Sequence, residues 1–409
     1  MLAYLEAAGH VFVADPAEAE ILIVNTCGFI EPAKQESIDT ILEMAEYKKS
    51  GICKTLVATG CLTQRYMDEL KRELPEVDIM LGIDSYDVLP SLLNGDSEPV
   101  CAPYAGRILT TPPYTAYLRI GDGCNNKCAY CAIPLIRGPL NSVPMEDLEA
   151  EAISLAENGV TELTVIAQDT SGYGMDLYGK PMLLPLLERL SGIDGIHWLR
   201  VLYTYPDTVT EKLLDAFAGN DKIVNYLDIP LQHIDDDILK RMNRRGSRRH
   251  IENVLNHLSR YRNNFTLRTT MMVGFPGETD AQFDSLLKFL KEYPFDRVGA
   301  FAFSPEEGTV AESMADQVPE DVKQNRLDRL LSLQQGISAE LNRKRIGQET
   351  EVLIEGADEE GLFGRSPAEA PDVDGLIRLP YRPRIKAGTY VKARLTEASE
   401  YDMIGEYTE

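Results

Sequence analysis

Between Thr115 and Phe303, short apolar runs alternate with helical stretches, and this constrains the fold of the 409-residue chain more than any other feature. The strand candidates are Ala116–Ile120, Leu163–Ala167, Trp198–Leu202, Tyr226–Ile229, Phe265–Val273 and Val298–Phe303. Helical stretches such as Met145–Glu157, Val209–Phe217, Ile251–Tyr261 and Ala281–Glu292 lie between them. Strands separated by helices build a parallel sheet. Six such units predict a partial, open TIM-type (β/α)6 barrel, whose functional groups stand at the C-terminal strand ends.

The first strand runs into GDGCNNKCAYCAIP, which places Cys124, Cys128 and Cys131 in a CxxxCxxC array. Three thiolates at this spacing can hold three corners of a four-iron cluster and leave one iron open to a substrate. The rival readings are weaker. Structural zinc takes four ligands, yet no His stands near the array, and the next cysteine, Cys101, lies across a proline-containing stretch. A disulfide framework suits short secreted chains with a signal peptide, which this is not. Soft thiolates also favour iron–sulfur chemistry over hard metals.

The flanks differ in character. Residues 1–95 again alternate: a helix over Leu2–Ala8, a buried strand over Glu20–Asn25, a helix over Pro32–Lys49, a strand over Lys54–Thr59, a helix over Tyr66–Leu74 and a short strand over Asp78–Leu81. This predicts a small parallel α/β domain. Residues 96–113 read as a proline-rich linker and 114–340 as the barrel, ending in a polar connector helix over Asp321–Arg345. Residues 344–409 carry short alternating strands (Thr350–Ile354 and Tyr390–Leu395) and predict a small β-barrel of OB-like size.

Cys27 and Cys61 each follow a strand of the N-terminal domain. If those strands are parallel neighbours, the two thiolates can share a metal; otherwise they are inert core cysteines. Composition bounds the rest. No apolar run reaches the roughly 18 residues of a membrane span, and seven cysteines suit a reducing cytoplasm. The net charge of −24 repels nucleic acid and attracts basic partners.

The stretches NTCGFI, TGCLTQRY, GCNNKCAYCAIPLIRG, AQDTSGYG, LDIPLQH, MVGFPGET and AFSPEEGT together resemble the methylthiotransferase family of radical S-adenosylmethionine (radical SAM) enzymes over essentially the whole chain. GRSPAEAPDVDG and EYDMIGE in the tail resemble the RimO type of that family. The resemblance implies an auxiliary-cluster domain, a radical SAM core and a C-terminal TRAM domain. It implies methylthiolation of the β-carbon of an aspartate in small-subunit ribosomal protein S-twelve, a transfer of a sulfur-containing group. Two 4Fe-4S clusters and SAM are implied, one on Cys124, Cys128 and Cys131, the other on Cys27, Cys61 and a third cysteine. Tyr130, Gln168, Gln232 and Gly274 are implied to line the SAM site. The resemblance implies the same wall for His233 and Gly277.

Members of the family carry a first cysteine after an initial strand, ahead of the helix that here begins at Leu2. That strand and cysteine are therefore expected upstream of Met1. Cys53 lies at the opposite strand end from Cys61, and Cys101 stands in the linker. Ser142-Val143 departs from the family's Ser-Arg.

Two rivals stand beside this reading: methylthiolation of a tRNA adenosine, and a non-catalytic iron–sulfur protein. Residues 344–409 hold nine Lys and Arg against fourteen Asp and Glu, a net of −5, which suits a basic ribosomal protein better than RNA. Lys240, Arg241, Arg244, Arg245, Arg248 and Arg249 form one basic knot, read as a solvated helix end or as a contact with ribosomal RNA. A cytoplasmic monomer served by an electron-donor protein, with no membrane partner, completes the expectation.

Overall fold

Alternating buried residues organise the N-terminal sheet of this computed structural model, which describes residues 1–95 and 107–408. Strands β1 (Ile21–Thr26), β2 (Thr55–Gly60) and β3 (Ile79–Leu81) pair in parallel in the order β1-β2-β3. Leu22, Val24, Leu56 and Ala58 pack with Ile41 and Ala45 of the helix Glu31–Ser50. Val57 and Leu81 face the other way, with Leu5 and Leu89. This two-residue period splits the sheet into two packed faces. The third helix starts at Cys61, five residues before the expected Tyr66. Non-helical torsions at Tyr66 (φ −128°, ψ 29°) interrupt it, so the apolar period registers only beyond the kink.

The chain divides into two compact units that do not follow its linear order. The first comprises Met1–Thr110, Gly123–Pro139 and Ser304–Ser313. The second comprises Thr111–Asp122, Leu140–Phe303 and Met314–Glu409. Residues 96–106 of the expected linker, Cys101 included, lie outside the described residues.

The second unit contains the predicted barrel strands. They are β4 (Thr115–Arg119), a two-residue ladder of β5 (Gly121–Asp122) with β6 (Asn141–Ser142), then β7 (Glu162–Ile166), β8 (Trp198–Val201), β9 (Tyr226–Asp228), β10 (Thr266–Val273) and β11 (Arg297–Ala302). Two parallel sheets form, β4-β7-β8 and β9-β10-β11. Leu199 joins them: its amide donates to Lys222 O and its carbonyl accepts from the Val224 amide. Among the described residues no ladder links β11 to β4, so the barrel is open as the sequence predicts. No described helix is long and apolar enough to cross a membrane.

A closed five-stranded barrel follows, from β12 (Glu349–Asp358), β13 (Gly361–Arg365), β14 (Ile377–Leu379), β15 (Tyr390–Ala398) and β16 (Met403–Tyr407), ordered β12-β13-β14-β16-β15. The connector helix Glu320–Arg345 is packed rather than solvated. Two of its buried polar side chains reach neighbouring backbone: Gln334 Nε2 donates to Phe295 O at 2.8 Å, and Ser338 Oγ to Asp296 O at 2.8 Å.

Charge holds this barrel to the base of the larger one. Glu162 at the start of β7 is fully buried, and Arg365 clamps it from β13 with contacts of 3.1 and 2.6 Å. Arg200 Nε reaches Glu162 at 3.2 Å, while its Nη1 donates to Pro367 O at 2.9 Å. Further along, Glu369 accepts from Arg345 at 2.6 Å, and Tyr226 donates to Asp374 at 2.6 Å. The GRSPAEAPDVDG stretch of the tail is thus the segment seated against the barrel base. Burial pushes the Glu162 carboxyl up, but Arg365 and Arg200 outweigh it and hold it below the ordinary glutamate range.

Arg365→Met removes one partner of this buried pair and should cost about 3–5 kcal/mol in urea denaturation. A depressed carboxyl stabilises the fold above its unfolded value, so the penalty should be full at neutral pH. It should shrink as pH falls below about 4.5, where the unfolded carboxyl protonates. An undiminished penalty in acid would refute the assignment.

Candidate functional site

The cysteine array lies on a turn held by its own backbone. The Cys124 amide donates to Gly138 O at 3.2 Å and the Cys131 amide to Cys128 O at 3.1 Å. The Asn126 amide points at Cys124 Sγ, 3.4 Å away, as cluster-ligating sulfurs commonly receive. All three thiols are partly exposed and none is in a disulfide. Among the described residues no three His, Cys, Asp or Glu side chains converge on one metal ion. A four-iron cluster asks for a different arrangement, in which each thiolate meets its own iron. A soft, three-thiol donor set on one short loop fits that demand.

Strand register brings the second pair of cysteines together. Thr26 pairs with Gly60 across β1 and β2, so Cys27 and Cys61 are the next residues at neighbouring C-terminal strand ends. Ser37 fixes the first: its hydroxyl accepts from the Cys27 amide at 2.9 Å and donates its one proton to Ala33 O at 2.8 Å, with the Cys27 carbonyl 3.2 Å away. Backbone contact fixes the approach. A Cβ on Gly28 would stand 2.8 Å from Cys61 C and O, so only glycine lets the two ends close. Arg65 Nη1 donates to Gly28 O at 3.0 Å. Cys53 is buried ahead of β2, its thiol toward Thr55 O, at the far end of the strand that Cys61 follows.

Both cysteine sets belong to the first compact unit. The helix Ile133–Arg137 ends the array, and Arg137 Nη2 donates to Cys61 Sγ at 3.3 Å. The segment Ser304–Ser313 ties the same parts. The Ala311 amide donates to Ala129 O at 2.8 Å, the Tyr66 hydroxyl donates to Glu307 at 2.9 Å, and Lys34 lies 3.6 Å from buried Glu306. Ser37, Arg65 and Arg137 escape sequence reasoning because each acts on a cysteine, or on the glycine beside one, that is distant in the chain.

On the barrel, two of the predicted SAM residues have unmet hydrogen-bond capacity. Gln168, after β7, and Gln232, after β9, each bury a side-chain carbonyl oxygen that no donor reaches. Gln232 also holds a left-handed backbone (φ 67°), a strain typical of functional positions. Beside it, His233 is fully buried. Its Nδ1 accepts from the Asp235 amide at 3.0 Å, which places the ring proton on Nε2, 3.6 Å from Glu278 Oε1. The two glycines have packing partners. A Cβ on Gly274 would meet the Lys323 side chain, and one on Gly277 the Arg241 guanidinium. Tyr130 is half-buried on the array loop.

The basic knot divides: Arg244 is buried within the protein, while Lys240, Arg245 and Arg249 remain exposed. Arg244 is buried, donates to Pro230 O at 2.6 Å and stacks 4.4 Å from the Tyr205 ring centre. Arg245 pairs with Asp207 at 3.2 Å and Arg248 with Glu252 at 2.8 Å.

Known proteins with similar sequences agree with this architecture. Residues 118–290 match the radical SAM superfamily, residues 1–82 the Uncharacterized protein family UPF0004, and residues 346–407 the TRAM domain. The ribosomal protein uS12 methylthiotransferase RimO of Clostridium botulinum is 46% identical over 404 residues, which cover 96% of this chain and 91% of that protein. The RimO of a Thermoanaerobacter species is 46% identical over 418 residues, covering 100% and 95%. That of Clostridium perfringens is 47% identical over 403 residues, covering 96% and 90%. Among solved structures, the radical S-adenosylmethionine methyltransferase TsrM from Kitasatospora setae shares the fold, with a TM-score of 0.55 and 11% identity over 94% of this chain and 74% of that one.

Gly28→Ala should cost about 1–3 kcal/mol through overpacking against Cys61. Urea denaturation of the iron-free protein measures this. A neutral result would show that the two strand ends need no close approach.

Proposed function

The chain belongs to the RimO family of ribosomal protein uS12 methylthiotransferases within the radical SAM superfamily, and on that footing we propose that it adds a methylthio group to the β-carbon of an aspartate in uS12. Cys124, Cys128 and Cys131 hold the SAM-cleaving cluster through their thiolates. Cys27 and Cys61 help to hold an auxiliary cluster that carries the sulfur, with a third ligand beyond those two. The clusters supply electron transfer to SAM and a sulfur to be delivered, chemistry that belongs to the cofactor rather than to side chains.

The protein contributes position and dryness. Gln168 and Gln232 accept hydrogen bonds from SAM donor groups, for which their orphaned carbonyl oxygens are suited. Gly274, on the loop after β10, and Tyr130, on the array loop, complete the lining of the SAM site. The observation that most favours sulfur insertion over simple SAM cleavage is the pairing of Thr26 with Gly60, which sets Cys27 beside Cys61. The acidic C-terminal domain favours docking of a basic ribosomal protein over tRNA. Contact with ribosomal RNA falls to the exposed Lys240, Arg245 and Arg249. The enzyme works as a cytoplasmic monomer reduced by a separate donor protein.

Reconstituted protein should modify uS12 in small ribosomal subunits and leave tRNA unchanged, as read by mass spectrometry of both. Product on tRNA alone would overturn the substrate assignment. Cys124→Ala should abolish 5′-deoxyadenosine formation and, in a chain extended upstream to include the third cysteine, retain about half of the bound iron. Equal iron in the two forms would contradict a two-cluster enzyme.

A further inference from the structure

We infer that Arg137 is a positioning residue for the auxiliary centre: its guanidinium compensates the charge of the Cys61 thiolate and ties that thiolate to the loop of the SAM-cleaving array. The inference rests on the reading of Cys61 as an auxiliary-cluster ligand.

Three observations support it. Arg137 Nη2 stands 3.3 Å from Cys61 Sγ, within reach of an N–H···S hydrogen bond. Arg137 follows Cys131 by six residues and ends the short helix after the array, so one side chain reaches from that segment to the other cysteine set. Cys61 is the first residue of the helix Cys61–Glu73, so the contact fixes the point where that helix leaves the strand end. The guanidinium places positive potential on one ligand of the centre. Gly138, left-handed at φ 70°, turns the chain immediately after Arg137 and ends its helix there.

The physical consequence is electrostatic. Adding an electron to a cluster increases its negative charge. A fixed cation hydrogen-bonded to a ligating sulfur therefore favours the reduced state and raises the reduction potential. A cation on a ligand also lowers electron density at the sulfur atoms of the centre. Arg137 thereby biases how readily the auxiliary centre takes an electron relative to SAM. No ordinary packing role of Arg137 would produce that effect.

The test isolates the auxiliary centre. In a chain extended upstream to include the third cysteine, with Cys124→Ala, Cys128→Ala and Cys131→Ala, only that cluster remains, and its midpoint potential is read by redox titration with electron paramagnetic resonance. Arg137→Met should shift the midpoint to a lower potential, whereas Arg137→Lys, which retains the charge, should stay closer to the parent. Loss of the cluster in Arg137→Met with retention in Arg137→Lys, at equal thermal stability, would support the same role. An unchanged midpoint in Arg137→Met overturns the inference and leaves the auxiliary-cluster reading intact. Absence of any cluster from the triple-alanine parent overturns that reading, and this inference with it.

Discussion

Parallel strand pairing is the constraint on which the rest of this protein depends. In a parallel sheet every strand ends on the same edge, so residues that follow different strands meet there without being near in sequence. The pairing of Thr26 with Gly60 turns that rule into a two-cysteine site. The same rule places Gln168 and Gln232 at C-terminal ends of barrel strands. Glycine and serine then refine what the sheet provides: Gly28 allows the backbones to touch, and Ser37 holds the Cys27 amide.

The opposite edge of the barrel shows what the chain does with surplus charge. Glu162, Arg200, Arg365 and Glu369 are almost fully buried, an arrangement that is costly unless every charge is paired. The bidentate geometry of Arg365 on Glu162 meets that condition. An acidic protein thus spends part of its limited stock of arginine inside, where it fixes one domain to another. The tail stretch that resembles its family so closely is therefore informative for a structural reason as well as a functional one.

The strands and helices of the barrel were legible because long apolar periods dominate them; Met145–Glu157 is a helix with the ends expected. The tail was harder to read. Its β14 has only three residues, too few for a period. The start of the Cys61 helix is hidden in the sequence because its first turn is largely polar and a kink breaks its phase at Tyr66. In the site, the cysteines declared themselves by spacing, while Ser37, Arg65 and Arg137 did not. Each of these acts across 10 to 76 positions of sequence, through contacts that only the folded chain creates. The basic knot misled in the other direction: six cations close together in sequence suggest a patch, yet Arg244 is committed to Pro230 and Tyr205 inside the fold.

The first compact unit is assembled from three separated stretches, with Gly123–Pro139 and Ser304–Ser313 joined to the N-terminal domain. A chimera that exchanges the N-terminal domain at the linker would sever this unit, even though the cut falls between recognisable domains. Recombination with a related enzyme would have to transfer the array loop and the Glu306 segment as matched parts. The inheritable module is therefore discontinuous, and its pieces are expected to change together rather than one domain at a time.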